Sequence, residues 1–292
     1  MITNENKSQK MPKRCVIFGS NGFIGKNLVK SLKKETTELV EITSNDINLT
    51  HHNCHELIQN TVKGDDVVII LSAMTPDRGK DIKTMMLNIK MMENLTKAIK
   101  KINVAHIIYF SSDAVYSFDN SLISESIATE ITDYYSAMHI VRETIIKTEL
   151  DSPILFVRPT LVYGIGDTHN SYGPNRFVKN ALQEKTITLG GQGEETQDHI
   201  YINDLVNMIK LFIYYKTVGT INLATGNSYT FMKIANIVNK SLGNKVNIIE
   251  TERKNEITYR KFDISNFIKL FPDFIFSDLE KNINFYIRNW KI

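Results

Sequence analysis

The stretch "FGSNGFIG" (18–25) decides how this chain is read. Before it runs the apolar "CVIF" (15–18), and after it "FIGKNLVKSLKK" (23–34), where Ile24, Leu28 and Leu32 recur at helical spacing. A buried strand, a glycine turn and a helix are therefore predicted in that order. Gly19 can make the tight turn, Gly22 lets the backbone approach a pyrophosphate, and Gly25 lets helix and strand pack closely. The first N–H groups of the helix then face the phosphates. The same spacing occurs in ordinary glycine-rich βα loops, but the strand before and the helix after point to a dinucleotide site.

Outward from that turn, strands and helices alternate. "LVEIT" (39–43) reads as a strand, "HELIQNTV" (55–62) as a short helix and "VVIIL" (67–71) as a buried strand. Residues 81–101 form a long helix carrying Met85, Met86, Ile89, Met92 and Leu95. "HIIYF" (106–110), a helix through Tyr135, and "ILFV" (154–157) follow. This alternation predicts an α/β class, a parallel sheet with helices on both faces. After Tyr163 the pattern weakens: "GIGDTHNSYGPN" (164–175) is rich in glycine and turn formers. A helix (203–216), a strand (220–224), a helix (231–242) and a strand (246–250) come later. The expected organisation is a nucleotide-binding domain over 13–164, to which segments near 198–225 return. A smaller α/β domain takes most of 165–292, and 1–12 is a disordered lead-in.

Composition narrows the function. The chain has 292 residues, 42% hydrophobic, enough for a large core. A net charge of +3 with scattered Lys and Arg argues against nucleic acid as a partner. The apolar runs are far too short to span a bilayer. "MITNENKSQKMPKR" is polar and is not a secretory signal. Two cysteines, Cys15 and Cys54, give no disulfide framework, so a reduced, cytoplasmic setting is expected.

The second strand ends "EITSND" (41–46). A carboxylate at its tip would bind a ribose 2′-hydroxyl and select NAD. Thr43 and Ser44 stand there instead, and Asp46 comes late. The small hydroxyls leave room for a 2′-phosphate, though no arginine is nearby, and this tips the expectation from NAD towards NADP. "HHNCHE" (51–56) is histidine-rich, but it lacks a complete ligand set with supporting partners, so no metal is expected. Thr50 is read as the cap of a short helix with solvated histidines in its first turn.

"YFSSDAVYS" (109–117) follows a buried strand, and in an open parallel sheet ligands bind beyond the carboxyl ends of strands. Ser111, Ser112 and Asp113 would emerge there. In "YYSAMHIVRE" (134–143), Tyr135 and His139 lie one helical turn apart on the same face. A strand-end serine can simply cap backbone, and a tyrosine can simply pack. Together, after a glycine turn, they suit hydride transfer at an alcohol or ketone, the phenol exchanging the proton.

These ordered motifs resemble the extended short-chain dehydrogenase/reductases of the NAD-dependent epimerase/dehydratase family. The resemblance runs from "GSNGFIG" (19–25) through "VVIILSA" (67–73), Asn88, "SSDAVY" (111–116) and "YSAMHIVRE" (135–143). It continues with "RPTLVYG" (158–164), "GGQGEETQDHIYINDLV" (190–206), "INLATGNSYTFMKIA" (221–235) and "YRKFDIS" (259–265). It implies a doubly wound Rossmann domain with a smaller C-terminal substrate domain, acting on nucleotide-linked sugars. By that likeness Tyr135 is the acid/base, Ser112 bonds the reacting oxygen, and Asn88 supports the active-site helix. The cofactor would be held by Gly19, Asn21, Gly22, Phe23, Ile24, Gly25, Ser44, Leu71, Ala73, Asn88, Ser111, Tyr135 and His139. The substrate would meet Asp113, Ala114, Asn175, Arg176, Gln197 and Arg260, with 175–177 at the diphosphate. A homodimer is also implied, the methionine-rich helix being a candidate surface.

The chain departs from the family pattern at three places. His139 replaces the lysine whose charge favours tyrosinate; an ordinary histidine, with a pKa of ~6.5, is only about a quarter protonated at neutral pH. His139→Lys is therefore expected to speed turnover. Asp113 is followed by Ala114 where dehydratases carry a glutamate, which disfavours elimination of water. Gln197 stands where relatives often carry arginine, and Arg260 could compensate. The compact segment 39–57 is similar to that of sugar-nucleotide 4-keto reductases. The expected activity is thus reduction of a 4-keto nucleotide sugar, with a 4-epimerase or a catalytically degenerate cofactor-binding protein as alternatives.

Overall fold

The computed structural model describes residues 2–35, 38–117, 122–253 and 256–290. In chain order the first elements are β1 (Thr3–Asn4), β2 (Arg14–Phe18), α1 (Phe23–Leu32), β3 (Glu38–Ile42), α2 (Cys54–Thr61) and β4 (Val67–Ile70). Next come α3 (Ile82–Ile99), β5 (His106–Phe110), a 3₁₀ turn (Asp113–Val115), β6 (Leu122–Ile123), α4 (Tyr134–Glu149), β7 (Ile154–Pro159) and β8 (Leu161–Tyr163). Then follow α5 (Pro174–Gln183), β9 (Thr186–Gly190), β10 (Thr196–Tyr201), α6 (Ile202–Tyr215), β11 (Thr217–Leu223) and β12 (Ser228–Thr230). The chain closes with α7 (Phe231–Ser241), β13 (Asn247–Thr251), β14 (Lys261–Phe262), α8 (Ser265–Leu270) and α9 (Leu279–Arg288).

The chain divides into two compact units. The first comprises 1–117, 125–159 and 206–221, and the second 118–124, 160–205 and 222–292. The first carries a seven-stranded sheet in the order β1-β11-β7-β5-β4-β2-β3. The pairs β3–β2, β2–β4, β4–β5 and β5–β7 are all parallel. Residues of β2, β4 and β5 are buried throughout, because helices cover both faces of such a sheet. Phe18, Ile70, Met92, Leu95, Ile107, Tyr109, Ile146 and Phe156 meet in its core. At the amino end of β2, the Arg14 guanidinium forks onto Asp66 with two bonds of 2.7 Å. Strand order reverses on either side of β2, so the crevice between β2 and β4 is the topological switch point.

Several expectations need correction. The lead-in 1–12 is not wholly irregular: Thr3–Asn4 pairs antiparallel with Val218 and Thr217. Backbone bonds from Glu5 and Asn6 to Lys216 and Tyr215 extend that pairing. Such a segment holds by main-chain bonds, which a polar sequence does not advertise. Thr50 caps no helix, because its hydroxyl bonds Asn48 and Asn53 holds the N-cap position of α2. The methionine-rich helix is part core and part surface, with Met92 buried and Met86 exposed.

The second unit holds a three-stranded sheet, β12-β10-β8, and two two-stranded pairs, β13–β9 and β14–β6. α5 begins at Pro174 inside the stretch read as turns. Proline suits a first helical position, where its missing N–H costs nothing. No helix among the described residues is long and apolar enough to cross a membrane.

Candidate active site

The glycine turn sits at the switch point. Gly19 has φ +87°, and a Cβ there would stand 2.8 Å from Ser72 N. A Cβ on Gly25 would stand 2.3 Å from the Gly19 carbonyl oxygen. Both glycines are therefore demanded by the fold itself. Gly22 differs: its nearest obstacle is Gly19 O at 3.4 Å, and it is the exposed N-cap of α1 with no side-chain cap. The first N–H groups of α1 are thus left for an anion. Asn21 is exposed beside it, Phe23 packs inward and Ile24 is half-buried.

The tip of β3 is not purely hydroxyl. The Asp46 carboxylate folds back and accepts from the Thr43 N–H at 2.8 Å and the Thr43 hydroxyl at 2.6 Å. Those bonds hold it below the usual carboxylate range. Ser44 is exposed next to it. Beyond β4, Leu71 N–H donates to Phe18 O at 2.8 Å, which sets Leu71, Ser72 and Ala73 beside the glycine turn. Asn88 accepts from Met74 N–H at 2.8 Å and donates to Met74 O at 3.0 Å. It therefore fixes the loop after β4 rather than the tyrosine helix.

Helix α4 starts with a full capping box: Asp133 accepts from Ser136 N–H, and the Ser136 hydroxyl accepts from Asp133 N–H. That places Tyr135 in the first turn, half-buried. Ser112 is a neighbour that favours the ionised form of its phenol. Ser112 follows β5, and its hydroxyl also caps the 3₁₀ turn by accepting from Ala114 N–H. Burial pushes the Tyr135 phenol up to about 12; Ser112 and Arg142 pull it down, while Asp113 and Asp133 oppose them.

His139 stacks edge-on against Tyr135, with ring centroids 4.7 Å apart. Its Nδ1 meets the Tyr109 hydroxyl at 3.0 Å. Burial, and secondarily the charge of Arg142, holds His139 well below the ordinary histidine value. It is therefore neutral, not the part-charged group expected from an ordinary histidine. Arg142 and Tyr109 escaped the sequence reading. Arg142 lies three residues after His139, a spacing that alone places it on the same helix face.

A dinucleotide fits what surrounds this pair. Ser72 Oγ, Ser111 Oγ, His139 Nε2 and Arg142 Nε are buried with no hydrogen-bond partner among the described residues. Buried polar atoms are almost always satisfied, so four together ask for a polar ligand. Gly19, Gly22 and the open α1 N-terminus suit its pyrophosphate. Among the described residues no group of His, Cys, Asp and Glu is arranged to hold a metal ion.

The remaining candidates lie in the second unit. Asn175 is buried and already engaged: it accepts from Gly164 N–H at 3.1 Å and donates to Val162 O at 3.0 Å. Its side chain ties α5 to β8. Arg176 is exposed, donating to Asn170 O and lying over the Tyr172 ring. Gln197 on β10 donates to Thr160 Oγ1 at 3.1 Å. The Arg260 N–H donates to Thr196 O, so Arg260 lies on the segment alongside Gln197.

A glycine turn at the switch point of a doubly wound sheet defines a dinucleotide-binding α/β protein of the Rossmann type. Residues 15–224 match the sequence profile of the NAD dependent epimerase/dehydratase family. The chain belongs to that family, within the extended short-chain dehydrogenase/reductases. It is 27% identical over 262 residues to the GDP-6-deoxy-D-talose 4-dehydrogenase of Aggregatibacter actinomycetemcomitans, covering 87% of each chain. Among solved structures, a GDP-L-fucose synthetase from Naegleria fowleri superposes with a TM-score of 0.80 at 16% identity, over 98% of this chain and 96% of that one. A UDP-N-acetylglucosamine 4-epimerase from Methanobrevibacter ruminantium M1 gives 0.80 at 20% identity, over 96% and 98%. At such identities the superpositions speak for the fold alone.

Proposed function

We propose that this protein is an NAD(P)-dependent oxidoreductase that reduces the 4-keto group of a nucleotide-linked sugar. The observation that carries the reading is the placement of Ser112 at the carboxyl end of β5 and Tyr135 in the first turn of α4, where the serine hydroxyl favours the ionised phenol. When bound, the reduced nicotinamide supplies a hydride to the carbonyl carbon. Ser112 donates a hydrogen bond to the carbonyl oxygen, which draws electron density towards it. Tyr135, protonated at neutral pH, gives its proton to that oxygen, so C=O becomes CH–OH and a tyrosinate remains. Asp113 is followed by Ala114, so the next position carries no second acid/base group for elimination. The A. actinomycetemcomitans relative is by its name a dehydrogenase acting at position 4 of a GDP-linked sugar, which supports the same ring position. In the second unit, Gln197 and Arg260 are the side chains we assign to the substrate; Asn175 supports their frame.

The cofactor preference follows from Asp46. Its carboxylate, returned to the β3 tip by Thr43, adds negative charge at that tip, which disfavours a 2′-phosphate there. That reverses the preference expected from the hydroxyls alone, and we place NAD ahead of NADP.

The test is incubation with a panel of 4-keto and 4-hydroxy nucleotide sugars, following reduced-cofactor absorbance and product mass together. One reduced cofactor consumed per product is the expected result. A 4-epimerase is the competing reading, since the same pair could serve oxidation and re-reduction at one carbon, and isomerisation without net consumption would establish it. Cofactor binding with no turnover on any sugar would sink both.

A further inference from the structure

A phenol that surrenders its proton inside a protein leaves a negative charge that needs a cation. His139 does not provide one: it is 2% exposed, tied through Nδ1 to Tyr109, and neutral. Arg142 is also on α4, 1% exposed. Its guanidinium carbon lies 5.2 Å from the centroid of the Tyr109 ring, and Nη2 donates to Ser72 O at 2.8 Å. Nη1 contacts the Met138 sulfur at 3.8 Å. None of these partners is an acid. Arg14 and Arg158, by contrast, each fork onto a carboxylate, Asp66 and Glu143. Among the described residues Arg142 therefore has no carboxylate partner, and a buried cation without one is costly to hold.

We propose that Arg142 is the positioning cation of this site, stabilising the charge that Tyr135 acquires on losing its proton. The inference rests on reading Tyr135 as the acid/base group. Tyr109 bridges the arrangement: its ring lies under the guanidinium and its hydroxyl meets His139, which in turn abuts Tyr135. Asp113 from the 3₁₀ turn and Asp133 at the helix N-cap both oppose ionisation of Tyr135. Glu143 is committed to Arg158. Arg142 acts against those carboxylates.

The experiment measures Tyr135 ionisation directly, so that it does not depend on turnover. Protein labelled with ¹³C at the tyrosine Cζ is titrated from neutral to about pH 11, with the Tyr135 signal assigned by its loss in Tyr135→Phe. Arg142→Gln removes the charge and keeps a polar amide, though it is two bonds shorter than the arginine that reaches Ser72 O; Arg142→Lys keeps the charge. In Arg142→Gln the signal is expected to begin moving about one pH unit or more later than in the native chain, a tenfold loss in tyrosinate. Arg142→Lys should stay close to native. His139→Lys combined with Arg142→Gln should regain the native curve. Thermal melts verify folding, and Arg142→Met replaces any variant that does not fold. Identical curves for native and charge-free variants, or no movement in any of them, would overturn the inference. A shifted curve in a chain with no turnover on any sugar would leave it standing while removing the proposed activity.

Discussion

Replacing Tyr135 by phenylalanine removes one oxygen and leaves the ring against His139. The expected result is a loss of about 10²- to 10⁴-fold in kcat with little change in melting temperature, read from cofactor oxidation and a thermal scan. A variant that keeps its rate would exclude the phenol as proton donor. His139→Lys needs a different expectation from the one the sequence suggests. It would bury an ammonium three residues from the buried Arg142 charge. We expect a stability loss on the order of 3 kcal/mol in denaturant unfolding, and no gain in turnover while Arg142 is present. A faster, equally stable His139→Lys would contradict that. The juxtaposition of Ser112 and Tyr135 could be anticipated from motif order alone. Arg142 stood in the same quoted stretch, yet its importance could not be read, because sequence gives charge and spacing but not burial or the absence of an acid partner.

The glycine turn separates what the fold needs from what a ligand needs. A Cβ at Gly25 collides with backbone at 2.3 Å, which cannot yield as a side chain can. Gly25→Ala should therefore lower stability by about 2 kcal/mol or more, visible as a shifted denaturant midpoint. Gly22→Ala, with its nearest obstacle at 3.4 Å and φ −72°, should fold normally. It should nevertheless weaken dinucleotide binding about tenfold in a fluorescence titration, because the methyl occupies the approach of the pyrophosphate. Equal effects of the two on stability would refute this division. The first-unit elements were readable because buried strands are uniformly apolar and their helices two-sided. β9 and α5 were not: they follow a run of turn formers, and Pro174 signals a helix start as readily as a break. β1 was missed for a related reason, since it pairs through backbone alone.

Acid should loosen the whole molecule earlier than its carboxylates suggest. His106, His139 and His199 are all buried, and burial lowers each, His106 to about 4 and His199 to about 3. An unfolded histidine titrates near ~6.5, so below that pH the unfolded chain binds protons that the folded one refuses. Stability contributed this way is complete above about pH 6.5 and is lost as pH falls. Asp198 works in the opposite sense: burial raises it to about 7, so the folded state holds a proton that the unfolded state releases. Three protons gained, against one released by Asp198 and part of one by Asp204, which burial also raises, leave a net uptake of at most about two on unfolding near pH 5, a slope of at most about 2.7 kcal/mol per pH unit. Unfolding free energy measured by denaturant should thus fall between about pH 6.5 and 5, before carboxylates of ordinary pKa titrate. Asparagine or glutamine at His106 or His199 should flatten the slope by about one proton each, provided the variant folds. A flat profile across that window would mean that these rings find partners or water when charged, and that the three histidines are less enclosed than their burial indicates.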